Sequence, residues 1–317
     1  EMNNVLNELI EWRRRIFMPD IISIPNKEWL YMLGEETRNS VMIEGIFVSE
    51  DELSAVVSEK YKSGSEVANY FRTAKYYYNL ALELYKTGES FGCLALIRNA
   101  QKMLFENIRS ANKLGTFRNG SVRITGAKIV PPEFDIYDWM RLWCDYADYA
   151  YSHHPVGEAA ARNHVFFECI HPFEDGNGRV GRIMLNFTLI AHGYVNIVIK
   201  GVEERDRDRY IKALERAERG IRSIFRESPR ELIPENIDKF FNERDTAELS
   251  MIMEEALIES YDRLICAANK EKLVDVNTYA KMVGRTDAAI RKAIERKQLI
   301  AYKESGRWMI YPEKLNK

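Results

Sequence analysis

The chain has little net charge: 46 basic against 48 acidic side chains leave a formal −2 over 317 residues. That balance excludes a whole-molecule field aimed at a polyanion, so any nucleic-acid surface has to be local. Cysteine is equally thin. Cys93, Cys144, Cys169 and Cys266 are widely spaced, form no CxxC pair and lie mostly among apolar neighbours, which argues against a disulfide framework or zinc site and for reduced, buried thiols in a cytosolic protein. No uncharged apolar run reaches about 18 residues, and residues 1–6 hold no basic stretch leading into an apolar one. Neither a membrane span nor a secretory leader is expected. Internal repeats and low-complexity tracts are missing too. The expectation is a soluble cytoplasmic protein in which 46% apolar and 11% aromatic residues supply one sizeable core and a small second one.

What is present is helical spacing over most of the length. Pro25-Asn26 precedes a helix running to about Glu44, Ser49 with Glu52 reads as a capping box, and segments 66–86 and 91–109 carry aromatic and leucine residues at helical intervals, punctuated by Gly88 and Gly115. Helices are expected again at 135–150, 157–169, 178–192 and 206–220, with more to about 268. Residues 117–132 are the exception. Val122 to Val130 alternates around Gly126 and ends in Pro131-Pro132, which predicts a short β-hairpin.

Composition shifts at about 270. Residues 270–317 hold twelve Lys/Arg against six Asp/Glu, a surplus of six in a chain that is otherwise acidic. A short helix and turn at 278–285, a second helix from Thr286 to Lys297, and two strand-like runs at 299–302 and 308–311 joined through Gly306 read as a winged helix-turn-helix. Arg285, Arg291, Lys292, Arg296 and Lys297 near the second helix would suit DNA, and such a wing serves equally for a protein partner.

The densest chemistry lies in His171-Pro172-Phe173-Glu174-Asp175-Gly176-Asn177-Gly178-Arg179-Val180-Gly181-Arg182. His171 titrates near neutrality and can take a proton from a hydroxyl attacking phosphorus. Asp175 is a hard oxygen ligand suited to Mg²⁺ on a nucleotide, or an N-cap of the following helix. Gly176 and Gly178 let main-chain N–H groups turn to an anion, with Asn177 expected to add a side-chain donor. Arg179 and Arg182 stand three apart on the first turn of a helix, where both can reach the same phosphates.

This stretch resembles the signature of the Fic family, HPFx(D/E)GNGRxxR, at each of its nine specified positions. The resemblance implies a mainly α Fic core with a β-hairpin flap, and transfer of AMP from Mg·ATP to a Ser, Thr or Tyr hydroxyl of a protein, which can be the enzyme itself. In that scheme His171 is the base, Asp175 holds the metal, and Gly176 to Gly181, including Val180, with Arg179 and Arg182 bind the nucleotide. The flap at about 121–130 would dock the target chain by added strand pairing, with Thr125, Gly126, Ala127 and Lys128 bordering the nucleotide. Pro155 to Ala160 with His164, Phe166 and Glu168 look like the helix that feeds the motif. Tyr210 falls where the family supports adenine, and Glu218 stands where it often has Asn. The two retained glycines favour nucleotidyl over phosphoryl transfer.

Ser40-Val41-Met42-Ile43-Glu44-Gly45 is similar to the family's inhibitory (S/T)xxxE(G/N) element. Ser40 and Glu44 share a helix face, and a Glu44 fork onto Arg182 would deny that arginine to the γ-phosphate. If the buried pair is worth about 3 kcal/mol, productive binding falls about 10²-fold. Some relatives use the same glutamate to remove AMP, and the surfaces around the inhibitory helix suit a homodimer. The implied organisation is 1–110 helical with the inhibitory helix at about 27–45, 111–220 the Fic core, 221–269 a helical extension, and 270–317 the winged helix.

Overall fold

In the computed structural model, residues 2–17, 27–60, 65–90, 92, 94–108 and 113–313 are described; Pro25, Asn26 and Cys93 lie outside them. Thirteen α-helices and one small sheet are found among these residues. They are α1 (Met2–Ile16), α2 (Lys27–Ile43), α3 (Glu50–Val57), α4 (Glu66–Thr87), α5 (Leu94–Leu104), α6 (Ile136–His153), α7 (Val156–Ile170), α8 (Asn177–Ala191), α9 (Glu204–Ile221), α10 (Pro234–Asp238), α11 (Glu243–Ala268), α12 (Val276–Val283) and α13 (Asp287–Glu295). None is long and apolar enough to cross a membrane. The signals that set them are local. Ser49 accepts from Glu52 N–H at 3.1 Å and Ser65 from Ala68 N–H at 3.0 Å, and Gly88 ends α4 in the left-handed region at φ 71°.

Two helices are sunk in the core, and they are the two that flank the motif. Every residue of α7 is buried except Glu168, which is partly so, and α8 buries Asn177 and Arg179 to Ile190. A helix apolar all round is a central one, so α7 and α8 form a floor on which α4, α6, α9 and α11 lie. Cys144, Cys169 and Cys266 are buried, as expected.

The described structure adds to the sequence pattern in one place and departs from it in another. Helix α1 lies in the region expected to be helical but was not placed individually, and its Arg13, fully buried, explains why it docks: Nε donates to Asp262 Oδ1 at 2.5 Å, and Nη2 to the Lys297 and Leu299 carbonyls at 2.9 and 3.1 Å. The expected hairpin at 117–132 is a tight turn with extended arms and no strand ladder. Ala127 N–H donates to Ile124 O at 3.1 Å across Gly126 at φ 81°, the positive φ a type II turn needs at its third residue. Alternation predicted the extended arms; it carries no information on whether they pair with each other.

Residues 274–311 form α12, α13 and a three-stranded antiparallel sheet of β1 (Val274–Asp275), β2 (Ile300–Glu304) and β3 (Arg307–Tyr311), in the order β1-β3-β2, with Ala301 opposite Ile310. Val276, Tyr279, Ile290, Ile294, Ala301 and Ile310 make its own small core. Helix α11 packs against this sheet at one end and α7 and α9 along its length.

Helix α2 is pinned through a buried carboxylate. Glu36 accepts from Tyr70 Oη at 3.0 Å, from the Tyr78 hydroxyl, and from Asn196 Nδ2 at 3.2 Å, while Trp29 Nε1 donates to Asn196 Oδ1 at 3.0 Å. Burial outweighs these donors and pushes the Glu36 carboxyl up to about 7. The folded state therefore keeps a proton that an unfolded glutamate gives up near its ordinary value, so stability falls as pH rises through that window. Urea unfolding at pH values from about 5 to 8 should show a steeper loss for wild type than for Glu36→Gln, the slopes differing by up to about 3 kcal/mol across the window. Parallel slopes would assign the titration to other groups, such as Glu254, also raised to about 7 by burial.

Candidate active site

Helix α7 stops at His171, which sits in the left-handed region at φ 51° and whose N–H still reaches Phe167 O at 3.1 Å. Pro172 follows and has no N–H with which to continue the helix. The loop to α8 is braced from inside. Asn177 Oδ1 accepts from Phe173 N–H and its Nδ2 donates to Phe173 O, both at 2.8 Å. Asn177, expected as a side-chain donor to an anion, thus spends both polar ends on the loop; its main-chain N–H, in the first turn of α8, is what remains for a ligand. Gly176 at φ 84° is the N-cap, and Asp175 Oδ1 accepts its N–H at 2.6 Å.

The anion seat at this helix start is met by a carboxylate of the chain itself. A Cβ built on Gly178 would lie 2.4 Å from Glu44 Oε1 and 3.1 Å from Arg182 Nη1. Glu44 is delivered by the end of α2, where the chain turns off at Gly45 (φ 80°) and Ile46 N–H closes back on Val41 O at 3.1 Å. A carboxylate is disfavoured at the end of its own helix and favoured at the start of another. Glu44 exchanges the first position for the second.

Arg182 is held by α2 in a three-point clamp. Its Nε donates to Ser40 Oγ at 2.7 Å, and Nη2 donates to Ser40 O at 3.0 Å and to Glu44 Oε1 at 2.6 Å. The expected carboxylate fork is therefore not formed. Ser40 takes the second guanidinium edge and Glu44 only one donor. Burial would raise the Glu44 carboxyl, but Arg182, and more weakly Arg179, bring it below its ordinary value, so it stays ionised. Arg179 lies apart from this clamp, 3.5 Å from Glu66 and 4.0 Å from Asp175, over the Phe105 ring at 4.9 Å, with its Nε and Nη1 buried and without hydrogen bonds.

The remaining expected residues fall in four surroundings. Burial drives the His171 imidazole down to about 4, with Arg118 adding to the fall and the Glu168 main chain, Glu44 and Asp175 opposing it; it is neutral near pH 7 and able to accept a proton. Val180 is fully buried in the core, and a Cβ on Gly181 would meet Glu168 Oε1 at 2.0 Å, so close helix packing accounts for both. Tyr210 is buried with its hydroxyl 2.7 Å from His164 Nε2. Thr125, Gly126 and Lys128 are exposed at the flap turn and Ala127 half-buried.

No group of three or more His, Cys, Asp or Glu side chains among the described residues could hold a metal by itself. Asp175 with phosphate oxygens and water is a donor set that magnesium uses.

A family model described as the Fic/DOC family matches residues 92–189. A probable protein adenylyltransferase of Aquifex aeolicus is 32% identical over 297 residues, covering 88% of this chain and 85% of that protein. The chain belongs to the Fic/DOC family. A protein adenylyltransferase Fic of Drosophila willistoni is 33% identical over 108 residues, which are 33% of this chain and 21% of that protein. Among solved structures, a Fic-domain-containing signaling protein of Bacteroides thetaiotaomicron covers 84% of this chain and 98% of its own at a TM-score of 0.63 and 19% identity, a likeness of fold.

Sequence reasoning overlooked two features of this site. Glu168 is placed by pattern on the feeding helix, but nothing in the pattern says that its carboxyl is buried and pushed up to about 8, or that its Oε1 lacks a partner. Arg118 falls within the segment 117–132 read as the flap, with no role assigned to it, and is a buried hub. Since burial keeps His171 neutral, its ring signals in NMR should not titrate above about pH 5 in the wild-type protein; a midpoint near the ordinary histidine value would mean that the ring is solvated.

Proposed function

We propose that this chain transfers AMP from ATP to protein hydroxyls, its own included, and that Glu44 holds it in check. The reaction class follows from the family: its relatives are named protein adenylyltransferases, and the chain is a nucleotidyltransferase. The observation that carries the finer reading is the carboxylate of Glu44 at the α8 N-terminus, against Gly178 and on Arg182. A triphosphate needs the same seat and the same guanidinium.

In the active arrangement the main-chain N–H groups of Asn177 and Gly178, and that of Gly176 once Asp175 turns from it, would hold phosphate oxygens, and Arg179, whose buried Nε and Nη1 lack hydrogen bonds, would take another. Arg182, once released, would hold the γ-phosphate. Asp175 would hold magnesium, which supplies charge neutralisation between phosphates. Neutral His171 takes the proton as a target hydroxyl attacks the α-phosphorus; the bond to the bridging oxygen breaks and pyrophosphate leaves. The incoming phosphate charge raises the imidazole's basicity toward neutrality, where proton transfer is best matched. The open edge of the flap at 121–130 is read as the dock for the target chain.

Glu44→Gly should raise incorporation of label from ATP into protein by about 10–100-fold, and Glu44→Gly with His171→Ala should show none. Mass spectrometry of the self-modified Glu44→Gly protein identifies the added group and its residue together. Equal activity of Glu44→Gly and wild type overturns the inhibitory reading.

A second reading concerns residues 270–317, taken as a winged helix-turn-helix. It is supported by Gly284 turning α12 into a Thr286-capped α13, by the β2–β3 hairpin, and by the exposure of Arg285, Arg291, Lys292 and Arg296. If this face contacts DNA phosphates, a gel shift should weaken by about tenfold or more between 50 and 200 mM salt and be lost in Arg291→Ala/Lys292→Ala. Absence of any shift assigns the face to a protein partner.

A further inference from the structure

Arg118 stands at the foot of the flap with 5% of its surface exposed, and every contact of its guanidinium is a carbonyl. Its Nε donates to His171 O at 2.6 Å, Nη1 to Gly120 O at 2.5 Å, and Nη2 to Pro132 O at 2.6 Å and Ile170 O at 2.9 Å. Its own N–H adds a bond to Pro172 O at 2.9 Å. One side chain therefore ties together the two arms of the flap, through Gly120 and Pro132, and the turn that carries the base, through Ile170, His171 and Pro172.

This arrangement is expensive in isolation. No carboxylate pairs with Arg118 among the described residues, and burial lowers its guanidinium to about 10. A neutral core would be easier to build, so the cation is there for geometry only a planar fork of donors can supply. The geometry falls on a strained point: His171 is a non-glycine residue in the left-handed region, a conformation that persists only where its surroundings fix it.

We propose that Arg118 is a positioning residue that sets the distance and angle between the flap and the His171 imidazole. The inference rests on the reading of His171 as the base and of 121–130 as the dock. A target chain paired to the flap main chain has its hydroxyl placed by the flap arms, and the base is placed by the turn at 170–172. Among the described residues Arg118 is the side chain whose hydrogen bonds reach both. The groups that bear on His171 are Glu44 from α2, Asp175 from the loop, the Glu168 main chain from α7 and Arg118 from the flap; removal of the last takes away a cation and lets the ring become more basic.

The test uses the full-length Glu44→Gly protein with Arg118→Met, which removes charge and donors, and Arg118→Lys, which keeps the charge and loses the fork. Three measurements are made: the His171 ring titration by NMR, hydrogen exchange of residues 118–132, and self-modification with labelled ATP beside binding of a fluorescent ATP analogue. In Arg118→Met the His171 midpoint should move upward, exchange across 118–132 should quicken, and the rate of AMP transfer should fall about 10²-fold with nucleotide affinity within about threefold. Arg118→Lys should leave the His171 midpoint near that of the parent while exchange and transfer rate move as in Arg118→Met. Should Arg118→Met not fold, Arg118→Lys alone decides through exchange and rate. The proposal is overturned if exchange and the His171 midpoint stay unchanged, or if nucleotide affinity falls in step with the rate. If the Glu44→Gly parent transfers no AMP, the proposed function has failed, and the NMR and exchange data still decide whether Arg118 couples flap to base.

Discussion

A guanidinium taken out of water has to be paired, and the state of this protein turns on which partner Arg182 has. With α2 in place its Nε and Nη2 are bonded, to Ser40 twice and to Glu44 once, so the buried charge is not left bare and α7 and α8 can close around it. The positions of α2, the loop after it and the α8 N-terminus all follow from that one clamp. Anchoring continues upstream: the Tyr70 hydroxyl bonds Glu36 and lies within reach of Ser40. The same face of α2 that reaches the site is thus also fastened to α4. Arg263 of α11 binds Glu28 and Glu35 at 2.5 Å each, which ties the outer face of α2 as well. A helix held on two sides moves as a unit and not as a loose tail.

Most of the fold and the centre of the site were legible because they are written locally. Helical spacing, serine caps and terminating glycines act within a few residues, and α2, α4 and α6 to α9 lie where those signals put them. The motif was legible for a related reason: His171, Asp175, Gly176, Gly178, Arg179 and Arg182 act from one loop and one helix turn, so spacing alone brings them together. Ser40 and Glu44 could be matched to Arg182 only through resemblance, since the contact spans about 140 positions along the chain.

Long-range polar contacts were the part that sequence could not supply. Arg13, Glu36 and Arg118 look like any solvated residues in the sequence, yet each is buried and each joins segments remote in the chain. A charged residue reveals burial only through its partners, and the partners of Arg118 are carbonyls, which every residue possesses. The same limit applies to the flap. Alternation reported extended backbone correctly and carried nothing of the bonds that fasten the two ends of the segment to Arg118.

Gly178 is open space shared by two anions, one carried by the chain and one that would arrive from solution. The seat exists because a hydrogen atom stands where every other residue has a carbon, and that carbon would sit 2.4 Å from Glu44 Oε1. A lineage that needed a more active enzyme could not evict Glu44 by enlarging this residue, because the same atoms would close the site to nucleotide. Under the proposed inhibitory role of Glu44, its release is thereby confined to changes on α2 or its anchors, and position 178 is left unable to drift in either direction.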